Sequence, residues 1–460
     1  MAVPQNEPLR CGLSWAAKVA CSGYYLSGRA PRDVLLQSIA WTYAPPEELK
    51  QLKGRSTEIL LEGLSIEHDE ADQRVTLTRY GESGHARMHG GMGAMVVPEL
   101  DQRAHYEAPA IVPQPQADVR LDQLGGYYDD RSPPKVDQAG LRAALDTAFA
   151  DPRQMTNAYL VLHRGRVVAE RYRPPFSADT RFESWSMGKS LASSLVGIAH
   201  EQGALDLDED GLFDEWRSDD RRSIRLRNLL NMSSGLTFSG SFGKGEDNAV
   251  KQRDGLFLDH IYVYASGCDA HRFCTDKPLE IEPGSAVRYR NCDPLLVMRL
   301  LRERCAPDLD DFLRLPQAQL FDAVGSSGFV LETDPYGNFL ISGHDFARAR
   351  DWARIGQLWL QRGEWQGTQV MSKAYVDFAL TPATGSEEPY YGGFVALNRS
   401  GLASGLPPDA FWFSGGGQQR TIVVPSLDLV IVRMGHIFGA GFRLDDTLQK
   451  AHAQVCQAVA

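Results

Sequence analysis

Strand-like segments stand at both ends of one long stretch of this chain, and helical segments separate them. Residues 158–163 and 167–172 are rich in apolar and β-branched side chains. They flank a turn at Arg164-Gly165 and read as a β-hairpin. The pattern returns only at 394–397, 411–413, 421–424 and 429–432, with a turn at 425–428 before the last of these. Between the two groups, residues 200–350 have helical and loop composition. Such a chain is predicted to close an antiparallel sheet with its C-terminal strands and to insert a helical lobe between them. Helices are predicted at 141–150, before the hairpin, and at 444–459, at the end. The expected class is α+β, an antiparallel β-sheet flanked by helices plus a helical lobe.

A chain of 460 residues exceeds one ordinary core, so two to three domains are expected. Residues 1–130 read as an N-terminal α/β extension of unknown role. Helices are expected there at 33–39 and 46–52, strands at 64–68 and 75–78 around a turn, and a linker carrying Pro109, Pro113 and Pro115. A lid, a dimer contact or a plain scaffold would each fit, and no chemistry is evident. The second unit spans 136–460, with sheet from about 150–180 and 390–435.

Acidic residues number 59 against 48 basic ones, a formal charge of −11, and no basic-aromatic stripe occurs, which argues against nucleic-acid binding. No apolar run approaches the roughly 20 residues of a membrane span. The first ten residues lack the basic start and apolar centre of a signal peptide. The expected location is cytoplasmic, or periplasmic or secreted should an export signal lie outside this sequence. Seven cysteines do not impose a disulfide framework. Cys268 and Cys274 read as a local disulfide or as buried thiols; with His271 between them, a zinc site lacks a C-x-x-C pair to support it. Glycines at 90, 91 and 93 argue against a helix around His85 and His89, which read as loop or surface histidines.

Chemistry concentrates at Ser186-Met187-Gly188-Lys189, which opens an apolar helix carrying Leu191, Leu195 and Ile198. Residues three apart share a helix face, so the Ser186 hydroxyl and the Lys189 amine can meet. A serine needs a base, and a lysine in a dry site can lose its proton and serve. The same serine would also suit a plain helix cap. Two further matches, Ser132 to Lys135 and Ser241 to Lys244, contain prolines or lie among glycines and do not open a helix. Tyr289-Arg290-Asn291 precedes a helical run at 294–303. A phenol beside an ammonium group can be held as phenolate and relay a proton. Tyr336-Gly337-Asn338 has the same spacing at a Pro-Gly turn and no evident task. Ser414-Gly415-Gly416-Gly417-Gln418-Gln419-Arg420 precedes the penultimate strand; its glycines would let a substrate lie against backbone N–H donors.

In this order the three elements resemble the serine β-lactamase and penicillin-binding superfamily, in its class C-like branch with the family VIII esterases and nylon-oligomer (6-aminohexanoate oligomer) hydrolases. Members use Ser-x-x-Lys, Tyr-x-Asn and a Lys-Thr-Gly or His-x-Gly strand. Residues 204–208, 227–236 and 351–358 resemble further segments of that family, and the likeness covers roughly 136–460. The resemblance implies Ser186 as the acylated nucleophile, with Lys189 and Tyr289 sharing base and acid work. Asn291 would orient them, and the backbone N–H groups of Ser186 and of Gln419 or Gln418 would form the oxyanion hole. Gly416 and Gly417, with Trp412, Tyr390 and Tyr391, would line the substrate site. No metal or organic cofactor is implied. Gly416 stands where relatives carry Lys or His, so no cation is left there to hold a β-lactam or peptide carboxylate. The expected activity is hydrolysis of carboxylic esters or short amides through an acyl-serine. The alternatives are an oligoamide amidase, a β-lactamase or D-Ala-D-Ala peptidase, and a non-catalytic penicillin-recognising domain. The expected partner is a small ester or amide; the oligomeric state is open.

Overall fold

The computed structural model describes residues 8–39, 61–114, 135–238, 259–385, 390–435 and 446–460. The expected helix at 46–52, Pro115, the element at 241–244, residues 132–134 and the first residues of the closing helix lie outside the described residues.

The N-terminal part is a helix on a sheet. Helix α1 (Pro8–Ser27) lies across an antiparallel meander of β1 (Ser65–Asp69), β2 (Arg74–Arg79), β3 (Glu82–Met88) and β4 (Ala94–Val96). The β1–β2 hairpin stands where the alternation predicts it, closing at Asp69↔Arg74. Helix α1 escaped sequence reading because residues 11–23 are buried on every side, which erases the one-sided period that marks a surface helix. His85 lies on β3, hydrogen-bonded to Thr76, rather than in a loop: the glycine turn begins only after Met88.

The second unit contains the predicted sheet. Helix α2 (Gln138–Ala150), capped by the Asp137 carboxylate, leads into the hairpin β5 (Thr156–His163) and β6 (Arg166–Tyr172). The short strand β7 (Phe182–Glu183) precedes helix α3 (Gly188–Glu201). The inserted segment holds α4 (Cys292–Cys305), and β8 (Val330–Leu331) and β9 (Asp345–Ala347) pair with β7 in the order β7-β9-β8. Helix α5 (Ala349–Leu360) follows. The chain then returns through β10 (Ala396–Leu397), β11 (Phe411–Gly415), β12 (Gln419–Val424) and β13 (Leu429–Gly435) to helix α6 (Asp446–Val459). The six-stranded sheet runs β10-β11-β12-β13-β5-β6, antiparallel throughout.

Both faces of this sheet are covered, and the two-residue period assigns its side chains. Leu429 and Ile431 pack with α2 and α6, whereas Val430, Val432 and Met434 join the core containing α3 and α5. The fold is α+β. All seven cysteines are free thiols, so Cys268 and Cys274 form no bridge. No described helix is long and apolar enough to cross a membrane.

Candidate active site

The nucleophile candidate sits where β7 turns into α3. Ser184 N–H donates to the backbone oxygen of Asp345 at 2.9 Å, which ties this turn to β9. Trp185 then adopts φ of 52°, a left-handed conformation for a bulky side chain. Such geometry costs about 1–3 kcal/mol and persists where its surroundings over-determine it. Its ring is held edge-on by Trp15 of α1 at 5.7 Å and lies beside His344 at 6.0 Å. Ser186 follows in a single tight turn before α3 begins.

Lys189 is buried one turn on, with Nζ 3.0 Å from Ser186 Oγ. The amine also donates to Asn291 Oδ1 at 2.9 Å and to the backbone oxygen of Ser342. Burial pushes its pKa well below the lysine range, and the charge of Asp345 opposes that fall. Asn291 stands immediately before α4, which points its amide oxygen at Lys189.

Tyr289 completes the group. Lys189 Nζ lies 4.8 Å from its ring centroid, and its hydroxyl interacts with Ser186. Burial raises its pKa; the Ser186 hydrogen bond and the charge of Arg420 pull it down by less. The balance corrects the sequence expectation of a phenolate: the resting group is a phenol, because desolvation outweighs its neighbours. The depressed group is the amine.

The glycine turn closes the site. Gly415 must be glycine, since a Cβ there would lie 2.2 Å from the Ser184 oxygen; β11 therefore ends against the turn that carries Ser186. Gly417 and Gln418 have φ of 70° and 69° and lead into β12. Gln419 turns its side chain inward, where Oε1 accepts from the Gly435 N–H at 2.8 Å. A Cβ at Gly416 would meet nothing closer than Trp185 at 3.6 Å, so space rather than a cation faces that indole. Tyr391 stands edge-on to Tyr289 at 5.9 Å, and the half-buried Tyr390 packs beside it at 6.2 Å. Trp412 does not join them. Phe411 and Phe413 face the core shared with α3, and alternation turns Trp412 to the opposite face, against α2 and α6.

Three contributors stand outside the expected set of site residues. Arg420 is buried, and burial lowers its pKa to about 10, so it stays cationic near Tyr289; its guanidinium is anchored on Ser414 Oγ at 2.8 Å and the Gln419 oxygen at 2.9 Å. Ser342 offers only a carbonyl, which no residue type advertises. The third is the N-terminal unit. Trp15 Nε1–H donates to His344 Nε2 at 2.8 Å, and Lys18 pairs with Glu332 at 2.7 Å, all fully or nearly fully buried. Glu332 also accepts from Ser22 and from the Ala94 N–H. Tyr336, with the same spacing to Asn338, is an exposed turn residue whose ring lies tilted against His105 at 4.4 Å.

Comparison with known proteins finds the same fold and a family. A 6-aminohexanoate-dimer hydrolase of Paenarthrobacter ureafaciens is 25% identical over 319 residues, 63% of this chain and 76% of that protein. The solved structure of a family VIII carboxylesterase matches with a TM-score of 0.55 at 13% identity, covering 71% of this chain and 99% of its own. A penicillin-binding protein homologue from Caulobacter crescentus matches at 0.54 and 16%, covering 71% and 98%. The family model described as Beta-lactamase matches residues 144–454, the stretch that carries the Ser186 turn, the Tyr289 segment and the glycine turn, and by that match the chain belongs to the Beta-lactamase family.

Proposed function

We propose that this chain is a serine hydrolase that cleaves carboxylic esters or short amides through an acyl-enzyme on Ser186. The observation that carries the reading is the buried Lys189 amine, 3.0 Å from Ser186 Oγ and depressed in pKa by burial. A neutral amine at that distance can take the hydroxyl proton as Oγ bonds to the acyl carbon. The Tyr289 phenol then protonates the leaving oxygen or nitrogen and recovers a proton from Lys189. In deacylation water attacks the ester carbon and gives its proton back along the same pair. The N–H groups of Ser186 and Gln419 are the proposed donors to the oxyanion.

Neutral substrates are favoured because Gly416 provides no cation, and Tyr390 offers an aromatic wall. A linear oligoamide is the second reading, favoured by the likeness to a 6-aminohexanoate-dimer hydrolase. The described part of residues 1–130 is proposed as scaffold rather than lid: Trp15 and Lys18 engage His344 and Glu332 in the interior.

The test is to react the protein with a fluorophosphonate and with p-nitrophenyl esters of graded length. The modified residue is then located by mass spectrometry. Ester turnover with label on Ser186, both absent from Ser186→Ala, is expected. Turnover retained in pure Ser186→Ala would overturn the assignment.

A further inference from the structure

Resting on the hydrolase reading above, we propose that Asp345 is the counter-ion of Lys189: a positioning residue that balances the charge the amine acquires when Ser186 is acylated.

Asp345 is fully buried on β9, and β9 pairs with β7 through Glu183↔Phe346. That pairing carries the carboxyl under the first turn of α3. A Cβ at Gly188 would lie 2.3 Å from Asp345 Oδ1, so the residue between Ser186 and Lys189 is bare to admit it. Both carboxyl oxygens of Asp345 are buried with no hydrogen-bond partner among the described residues. A negative group at a helix N-terminus is favourable, which suits this placement.

The amine has the surroundings of an ammonium ion without a partner in contact. Ser186, Asn291 and Ser342 set three oxygens around its three donor positions. No carboxylate forms an ion pair with Lys189 among the described residues. In acylation the Ser186 O–H bond breaks, Oγ bonds to the acyl carbon, the carbonyl electrons move to oxygen, and the proton goes to Nζ. A buried cation then exists that did not before, and such a charge is costly unless balanced.

Every neighbour of Asp345 bears on its state. Burial and Glu332 push it toward its acid form and Lys189 pulls it toward carboxylate, while Asp345 in turn raises the pKa of Glu183 on β7. Glu332 is offset by Lys18 of α1, and Glu183 is faced by Arg29. His344, next in the chain, is neutral, and Tyr264 is a buried phenol. Burial opposes both charges, so in this proposal the Asp345 carboxylate is ionised before acylation and unchanged by it, and it stabilises the ammonium formed when Lys189 takes the Ser186 proton.

Asp345→Asn keeps the shape and removes the charge; Asp345→Ala removes shape and charge, and either folded variant decides the matter. Melting curves and circular dichroism establish folding. We expect kcat to fall about 10–100-fold with KM near the parent value, and the acid limb of the kcat/KM profile to move down by about 1 pH unit or more, the usual scale for a nearby opposite charge. An unchanged kcat and profile, a lower kcat with an unmoved limb, or a change confined to KM would each overturn the proposal. Fluorophosphonate labelling of the parent separates the two readings. An unlabelled Ser186 sinks the hydrolase reading itself, whereas a labelled parent with an unaltered variant sinks only the counter-ion.

Discussion

Trp15 stands edge-on to Trp185, with ring centroids 5.7 Å apart and planes at 90°. One indole belongs to the first helix of the chain and the other directly precedes Ser186. The same Trp15 donates to His344, two residues beyond the carbonyl that holds Lys189. An element without chemistry of its own thus braces both sides of the turn that carries Ser186.

Trp15→Ala should therefore cost stability and activity together. Truncating a buried tryptophan costs about 3–5 kcal/mol. The left-handed Trp185 would lose a ring that restrains it, so kcat should drop even at temperatures where the variant is folded. Chemical denaturation and kinetics at one low temperature check both; parent kcat in a destabilised variant would confine Trp15 to packing.

Lys189→Ala and Tyr289→Phe should each lower kcat by about 10²–10⁴-fold and should not multiply when combined, because in the proposed mechanism the two pass one proton. Tyr336→Phe should change little, since its ring lies at a surface turn. Fully multiplicative losses in the double variant would show two independent roles.

The pH profile has a predictable sign. The proposed mechanism needs Lys189 neutral, and its pKa is depressed, so the rate should already be on its plateau below the ordinary lysine range of about 10.4. Tyr289 must stay protonated, and its pKa is raised, so the alkaline fall should come late. A rate that climbs only toward pH 10 would mean that Lys189 titrates as an ordinary lysine.

Acid should weaken the fold by a separate route. His344 and His452 are buried and neutral, lowered to about 4 and about 3 by desolvation. Both folded values lie below the ordinary 6.5 or so. Their contribution is complete above that pH and is lost as the pH falls through the window down to the folded values. Tm measured from pH 7 to 4 should decline; a flat curve would contradict the burial of these rings.

Neutral esters of short acids should be hydrolysed far faster than the anionic β-lactam nitrocefin. The cause is the empty place at Gly416, where a Cβ meets only Trp185. Nitrocefin turnover matching the best ester would point to Arg420 as the carboxylate's partner.

Sequence alone determined the elements whose signal is local. The hairpin at β5–β6, the C-terminal strands, and Ser186, Lys189, Tyr289 and Asn291 as one constellation were legible, because period, turn chemistry and residue spacing are written along the chain. What only the tertiary structure decided depends on residues distant in sequence. Alternation along β11 implies two faces but does not say which one meets the nucleophile helix, so Trp412 was misplaced until α2 and α6 covered it. Burial from all sides hid α1 and reversed the expected state of Tyr289, since desolvation is a sum over neighbours that no motif contains. The Ser342 carbonyl reaches Lys189 across 153 positions of sequence, and the pairing of β9 with β7 sets Asp345 beside Gly188, the residue before that lysine.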